Sequence, residues 1–336
     1  MQQLSLVHKE YKVLDIMKFA MAIVVVAIHT RPELSFSSPV VVGLFEALYT
    51  IAVPFFFMAS GFLLFRKISL PLNEDGEMRI KSYLKKICKL YLIWTLIYLP
   101  LTVYGFYQDG LPFLKSIAIF FRNILLIGEN YMSWPLWYLL ALIVAVGIIY
   151  ALLKLKLSKN WIVAISVFMA IIGVGLDYCK ENAILQPITD LYFPVFLKTR
   201  NGFFVGFFVG FFYVALGMFL SHKENLSLSL LLVTALLGFV GIIMGVPLSS
   251  ALVVCAIFVF SISFNCKSVN VEFAVKYRLM SSIVYFIHML WMAFFVIILG
   301  LDKGVILFGL VLLTSILSGC WLLRYRDRYF FRLCFN

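Results

Sequence analysis

One apolar segment of the chain, LDIMKFAMAIVVVAIHTRPE at residues 14–33, carries a lysine near its start and a histidine near its end. Lys18 and His29 are eleven positions apart, about 16 Å along a helix and close to three whole turns, so they share one face near opposite ends of the segment. A histidine that is neutral near pH 7 can take a proton from a hydroxyl, and a lysine can hold an anion. Ionisable groups are costly in a bilayer, roughly 2.5 to 3.5 kcal/mol for a charge at a helix centre, so each needs a partner or a task. Two readings ask for no chemistry: a histidine resting in the outer headgroups, and a lysine snorkelling to the inner interface. Position alone leaves the chemical and the passive readings equally open.

Other polar groups interrupt apolar runs in the same way. VVVGLFEALYTIAVPFFFMASGFLLFRK places Glu46 at a depth similar to His29, with Pro54 in mid-span and Ser60 and Gly61 further in. Glu46 either orients an imidazole or reaches a watery vestibule. In RLMSSIVYFIHML, Tyr285 and His288 are three apart and share a helical face. They suit either catalysis or an interhelical hydrogen bond, worth about 0.6 kcal/mol in a membrane. Gly202, Gly206 and Gly210 repeat at four-residue spacing, as in a close-packed helix seam. Arg200 and Asn201 stand just before them, a cation and an amide at a helix mouth that suit a polar substrate. The six cysteines include no C-x-x-C pair, so neither a disulfide framework nor a metal site is expected.

The elements that must position these groups are membrane helices. Hydrophobic residues make up 63% of the 336 and charged residues only 13%, with a mean hydropathy of +1.03. Apolar runs of spanning length fall at 13–31, 40–65, 87–106, 134–153, 160–177, 202–221, 226–245, 248–264, 279–299 and 304–323. The expected fold is therefore all-α: a polytopic bundle of about ten transmembrane helices in a single domain, without a separate soluble one. No small-residue cleavage site follows the first run, which reads as a retained helix. With the N-terminus inside, 21 of the 28 basic residues fall on the cytoplasmic side, so both termini are expected there. That bias accounts for the net charge of +12 without nucleic acid. Residues 66–89 read as a charged cytoplasmic stretch in which Lys81, Lys85 and Lys89 share a helical face, and residues 178–201 as an outer loop or surface helix.

Several of these pieces, in order, resemble the family-three membrane acyltransferases, which modify bacterial surface polysaccharides and peptidoglycan. The resemblance spans nearly the whole chain. It begins with an acidic residue, a basic residue, ten residues and a histidine, here Asp15, Lys18 and His29. It continues through VPFFFMASGFLLFRK, KKICKLYLIW, WPLWYL with Trp134 and Trp137, TRNGFF and SSIVYFIH. The chain departs from the pattern at Lys18, where the family mostly has arginine, and so loses a planar fork there.

The resemblance implies acyl transfer, usually acetyl, from cytoplasmic acyl-coenzyme A as co-substrate to a glycan hydroxyl, with no permanently bound cofactor, in the bacterial cell membrane. Lys18, Arg66, Lys67, Lys85, Lys86 and Lys89 then offer cations to the coenzyme phosphates. The positive-inside bias, or contact with anionic membrane lipid, accounts for the same cluster equally well. His29, Trp134, Trp137, Arg200 and Asn201 offer a base, aromatic platforms and hydrogen bonds to a sugar. Asp15 belongs with Lys18 and His29 in the catalytic set, and Glu46, Ser60, Tyr285 and His288 line the acceptor path. His29 serves either as general base or as the carrier of an acyl-imidazole. The rival class is a transporter, flippase or export component, which shows the same buried charges without coenzyme A. Oligomeric state is not encoded in these patterns.

Overall fold

The computed structural model describes residues 11–182, 186, 205–222, 228–243, 249–263 and 270–335. These residues form helices and connections, with no strand among them. Among the described residues six helical segments are long and apolar enough to cross a membrane: Lys12–Thr30, Pro39–Phe65, Glu74–Gln108, Trp134–Lys154, Val271–Ile298 and Val305–Tyr325. The protein is a multi-pass, all-helical membrane protein. The other four apolar runs coincide with helices at Lys159–Glu181, 205–220, Leu228–Ile243 and Ser249–Ser263.

In chain order the α-helices are α1 (Lys12–Thr30), α2 (Pro39–Phe65), α3 (Glu74–Gln108), α4 (Phe113–Arg122), α5 (Trp137–Lys154), α6 (Lys159–Glu181), α7 (Gly210–Leu220), α8 (Leu228–Ile243), α9 (Ser249–Ser263), α10 (Val271–Ala293), α11 (Val305–Leu322) and α12 (Tyr329–Phe335). Many large apolar side chains point outward, among them Leu92, Leu96, Phe168, Ile171, Leu313 and Leu317. That is the surface a helix needs in hydrocarbon, where all its backbone groups are satisfied internally.

The chain divides into two compact units, the first from the described residues of 1–59 and 223–336, the second Ser60–His222. In the first, α1 packs on α10, α8 on α9 and α10 on α11. Ala22, Val25 and Val26 of α1 and Ile283, Val284 and Met289 of α10 are buried, and Phe55 of α2 meets Phe258 of α9 edge-on at 5.8 Å. In the second, α5 packs against α3 and α7, and α6 against α7. Gly61 permits the closest approach there: a Cβ on it would lie 2.2 Å from the Val214 carbonyl oxygen.

The 35-residue α3 differs from the expected span of 87–106. At about 1.5 Å per residue it is roughly 52 Å long, well beyond a ~30 Å hydrocarbon core, so part of it stands outside the bilayer. That part carries the lysines: Asn73 caps the helix by accepting from the Gly76 N–H at 2.8 Å, and Lys81, Lys85, Lys86 and Lys89 follow, all exposed. Glu77 collects Lys81 at 2.7 Å, Lys154 at 3.0 Å and the Tyr150 hydroxyl at 2.6 Å, tying the base of α3 to α5.

Candidate active site

The first unit places a histidine pair at one end of α1 and an ion-pair cluster at the other. His29 and His288 stack with ring centroids 5.3 Å apart and planes 28° from parallel. His288 is wholly buried. Its Nδ1–H donates to the Val284 carbonyl at 3.0 Å, which leaves the lone pair on Nε2. Nε2 has no hydrogen-bond partner among the described residues. An orphaned buried polar atom is uncommon and costly, and here it is a basic lone pair beside a second imidazole. Tyr285 stands edge-on to His288 at 6.4 Å and to Phe56 at 6.0 Å.

About three turns below, Lys18 Nζ donates to Asp15 Oδ1 at 3.0 Å, and Arg278 Nη1 lies 3.8 Å from Asp15 Oδ2. The Ser281 hydroxyl donates to the Lys18 carbonyl at 2.9 Å, fixing the register of α1 against α10. Contacts at 18 and 281 and again at 29 and 288 make the two helices parallel. Sequence reasoning passes over Arg278, counting it only as a topology charge.

Glu33 is a second omission. It is 1% exposed and accepts hydrogen bonds from Arg31 and from the Tyr49 hydroxyl. Burial alone would push its carboxyl up, but the bonds from Tyr49 and Arg31 outweigh that and hold it below the usual range. Arg31 ends α1 with a left-handed backbone, φ 54°. The Thr30 carbonyl then accepts the Gly304 N–H at 3.0 Å and Ser35 Oγ the Val305 N–H at 2.9 Å, clamping the start of α11 beside His29. Glu46 is exposed on α2, one turn before Tyr49. The enclosed carboxylate near the end of α1 is therefore Glu33, which lies in a short 3₁₀ turn and so escapes a search of the apolar runs.

In the second unit the Ser60 hydroxyl lies 2.9 Å from the Tyr138 hydroxyl. Trp134 and Trp137 open α5 through a 3₁₀ turn, both half-buried. Gly128, at φ +90°, packs beneath them: a Cβ there would lie 2.6 Å from Trp137 Cα. Arg122 donates to Asn123 Oδ1 at 2.8 Å, Asn123 Nδ2 to Asn130 Oδ1 at 3.0 Å, and the Asn130 N–H to Ser133 Oγ at 2.7 Å. This polar loop beside the tryptophans also holds Glu129, whose carboxyl burial pushes up to about 7. Of the basic cluster, Arg66 is half-buried and Lys67, Lys85, Lys86 and Lys89 are exposed. Arg200, Asn201 and Gly202 lie outside the described residues; Gly210 is buried in α7.

Residues 11–325 match the family described as an acyltransferase domain, the third family of membrane acyltransferases. The chain belongs to it. Asp15, Lys18, His29, Trp134, Trp137, Tyr285 and His288 all fall inside the matched family region. The chain is also 32% identical over 222 residues to an amino-acid racemase of Enterococcus faecalis, covering 65% of this chain and 29% of that protein. It is 30% identical over 239 residues to a serine/alanine racemase of Enterococcus gallinarum, covering 69% and 32%. The chain thus spans about a third of the length of the curated relatives it matches. No solved structure is significantly similar to it.

Proposed function

We propose that this protein moves an acyl group, acetyl in the simplest case, from cytoplasmic acyl-coenzyme A to a hydroxyl of a cell-surface glycan or its lipid-linked precursor. Within an acyltransferase family member, the observation that carries this reading is the stacked His29–His288 pair, three helical turns from an ion-pair cluster on the same two helices. His29 takes the proton of the acceptor hydroxyl as its oxygen attacks the thioester carbonyl. The tetrahedral intermediate expels the thiolate, the C–S bond breaks, and the proton passes to sulfur, leaving an ester and free coenzyme A. Lys18 holds a donor phosphate at the cytoplasmic mouth, and Lys85, Lys86 and Lys89 of α3 offer further cations of the kind that bind phosphates. The thin pantetheine arm suits the roughly 16 Å between Lys18 and His29. Trp134 and Trp137 suit stacking on a sugar ring. The host membrane is the bacterial plasma membrane.

The test is release of free thiol from acetyl-coenzyme A by purified protein in detergent, with a panel of glycan and lipid-linked acceptors. Acceptor-dependent thiol release with an acetylated product supports the proposal. Acceptor movement across proteoliposomes with no coenzyme A consumed would move the assignment to transport.

A further inference from the structure

We infer that Arg278 is a second anion-binding residue of the donor site, gripping with Lys18 the phosphates of acyl-coenzyme A. The inference rests on the donor assignment above and deepens it. Two parallel helices each present a cation and, further along, a histidine: Lys18 and His29 on α1, Arg278 and His288 on α10. The eleven- and ten-residue spacings correspond to about 16 and 15 Å, so the rungs match at both ends. At one end the imidazoles stack; at the other both cations face one carboxylate, Asp15.

The charge balance of that lower rung is incomplete. Asp15 supplies one negative charge to two positive ones, and it spends its short contact on Lys18 at 3.0 Å. Arg278 stands 3.8 Å away with its side chain 51% exposed, and Asp15 is its one ion-pair partner among the described residues. Most of its N–H donors are therefore open to an incoming anion. The ligand class follows from the donor set: a planar guanidinium forks two phosphate oxygens, and a neighbouring ammonium adds a point charge. The fork that Lys18 lacks is thus present one helix away, on a residue held in register by the Ser281 bond to the Lys18 carbonyl.

The experiment uses the full chain in detergent, with coenzyme A and 3′-dephospho-coenzyme A as binding probes and acetyl-coenzyme A turnover as the kinetic readout. R278Q is expected to weaken coenzyme A binding at least tenfold and to shrink its salt dependence, with the kinetic loss in KM for the donor rather than in kcat. R278K keeps the charge and loses the fork, so it should bind at least threefold more weakly than wild type. Wild-type affinity in R278Q alongside lost affinity in Lys18→Gln would overturn the role of Arg278 and leave the donor reading standing. Failure of wild-type protein to bind coenzyme A at all would instead overturn the donor reading. Should R278Q not fold, R278K decides: unchanged affinity there marks Arg278 as a counterion of Asp15 only.

Discussion

At the residue scale the chemistry rests on two imidazoles. His288 has its tautomer set by the Val284 carbonyl, so its free lone pair is on Nε2. His29 is the more accessible of the two. In the proposed reaction His29 is therefore the one to meet substrate, with the His288 ring stacked against it. His29→Ala should lower turnover roughly 10²- to 10⁴-fold at saturating donor and leave coenzyme A affinity within a few-fold. His288→Ala should cost less, and the double variant should be no slower than His29→Ala alone, because groups acting as a unit are not additive. Turnover of purified, monodisperse variants decides this; wild-type rate in His29→Ala would transfer the base role to His288. Both histidines are legible in the sequence, since a polar group in an apolar run is its own signal. Their meeting is not, because no spacing rule links residues on helices so far apart in the chain. The same holds for Asp15 and Arg278, and for Glu33, hidden in a turn of four residues.

At the scale of elements, helix existence was readable from apolar runs, and helix ends were not. The span expected at 87–106 is the apolar C-terminal part of a helix that begins at Glu74, because lysines forbidden in hydrocarbon are good helix formers outside it. Helix α4 is the exception, marked by no apolar run because ten residues are too few to span; its Phe113, Leu114 and Phe121 are exposed, suiting a helix that lies on an apolar boundary. The loop from Gly128 to Ser133 carries the pH prediction. Burial raises the Glu129 carboxyl to about 7, so the folded state binds its proton more tightly than the unfolded chain does. Stability from this group is full below about pH 4.5 and falls as pH rises to about 7, because the charged form is the one that burial disfavours. Glu129→Gln should remove that slope and raise stability above pH 7 by on the order of 1 to 3 kcal/mol. Thermal melts in detergent from pH 4 to 8 measure it; an unchanged slope would place the Glu129 carboxylate in water.

At the scale of the whole molecule the question is how many helices cross. The parallel run of α1 and α10 supplies a parity rule: an odd number of crossings must separate them. Three of the six long helices lie between, Pro39–Phe65, Glu74–Gln108 and Trp134–Lys154, and three is odd. Counting the described helices alone, the four others, α6, 205–220, α8 and α9, then cross in even number, and all four crossing would give the expected ten. The charge bias of 21 to 7 is the ground for expecting both termini in the cytoplasm. Reporter fusions after Arg66 and after Lys159 are expected to report cytoplasm, and one at Gly110, in the turn between α3 and α4, the outside. A further fusion at Pro247 distinguishes ten crossings from eight, because it follows α8 and precedes α9. An external Pro247 means that α8 and α9 form a membrane hairpin. A cytoplasmic Pro247, with the other three fusions as expected, would leave α8 and α9 on the inner surface and reduce the count to eight. An external signal after Lys159 with a cytoplasmic one after Arg66 would break the even parity from α1 through α5, whereas reversed signals at Arg66, Gly110 and Lys159 together would invert the side on which Lys18 and Arg278 meet the donor.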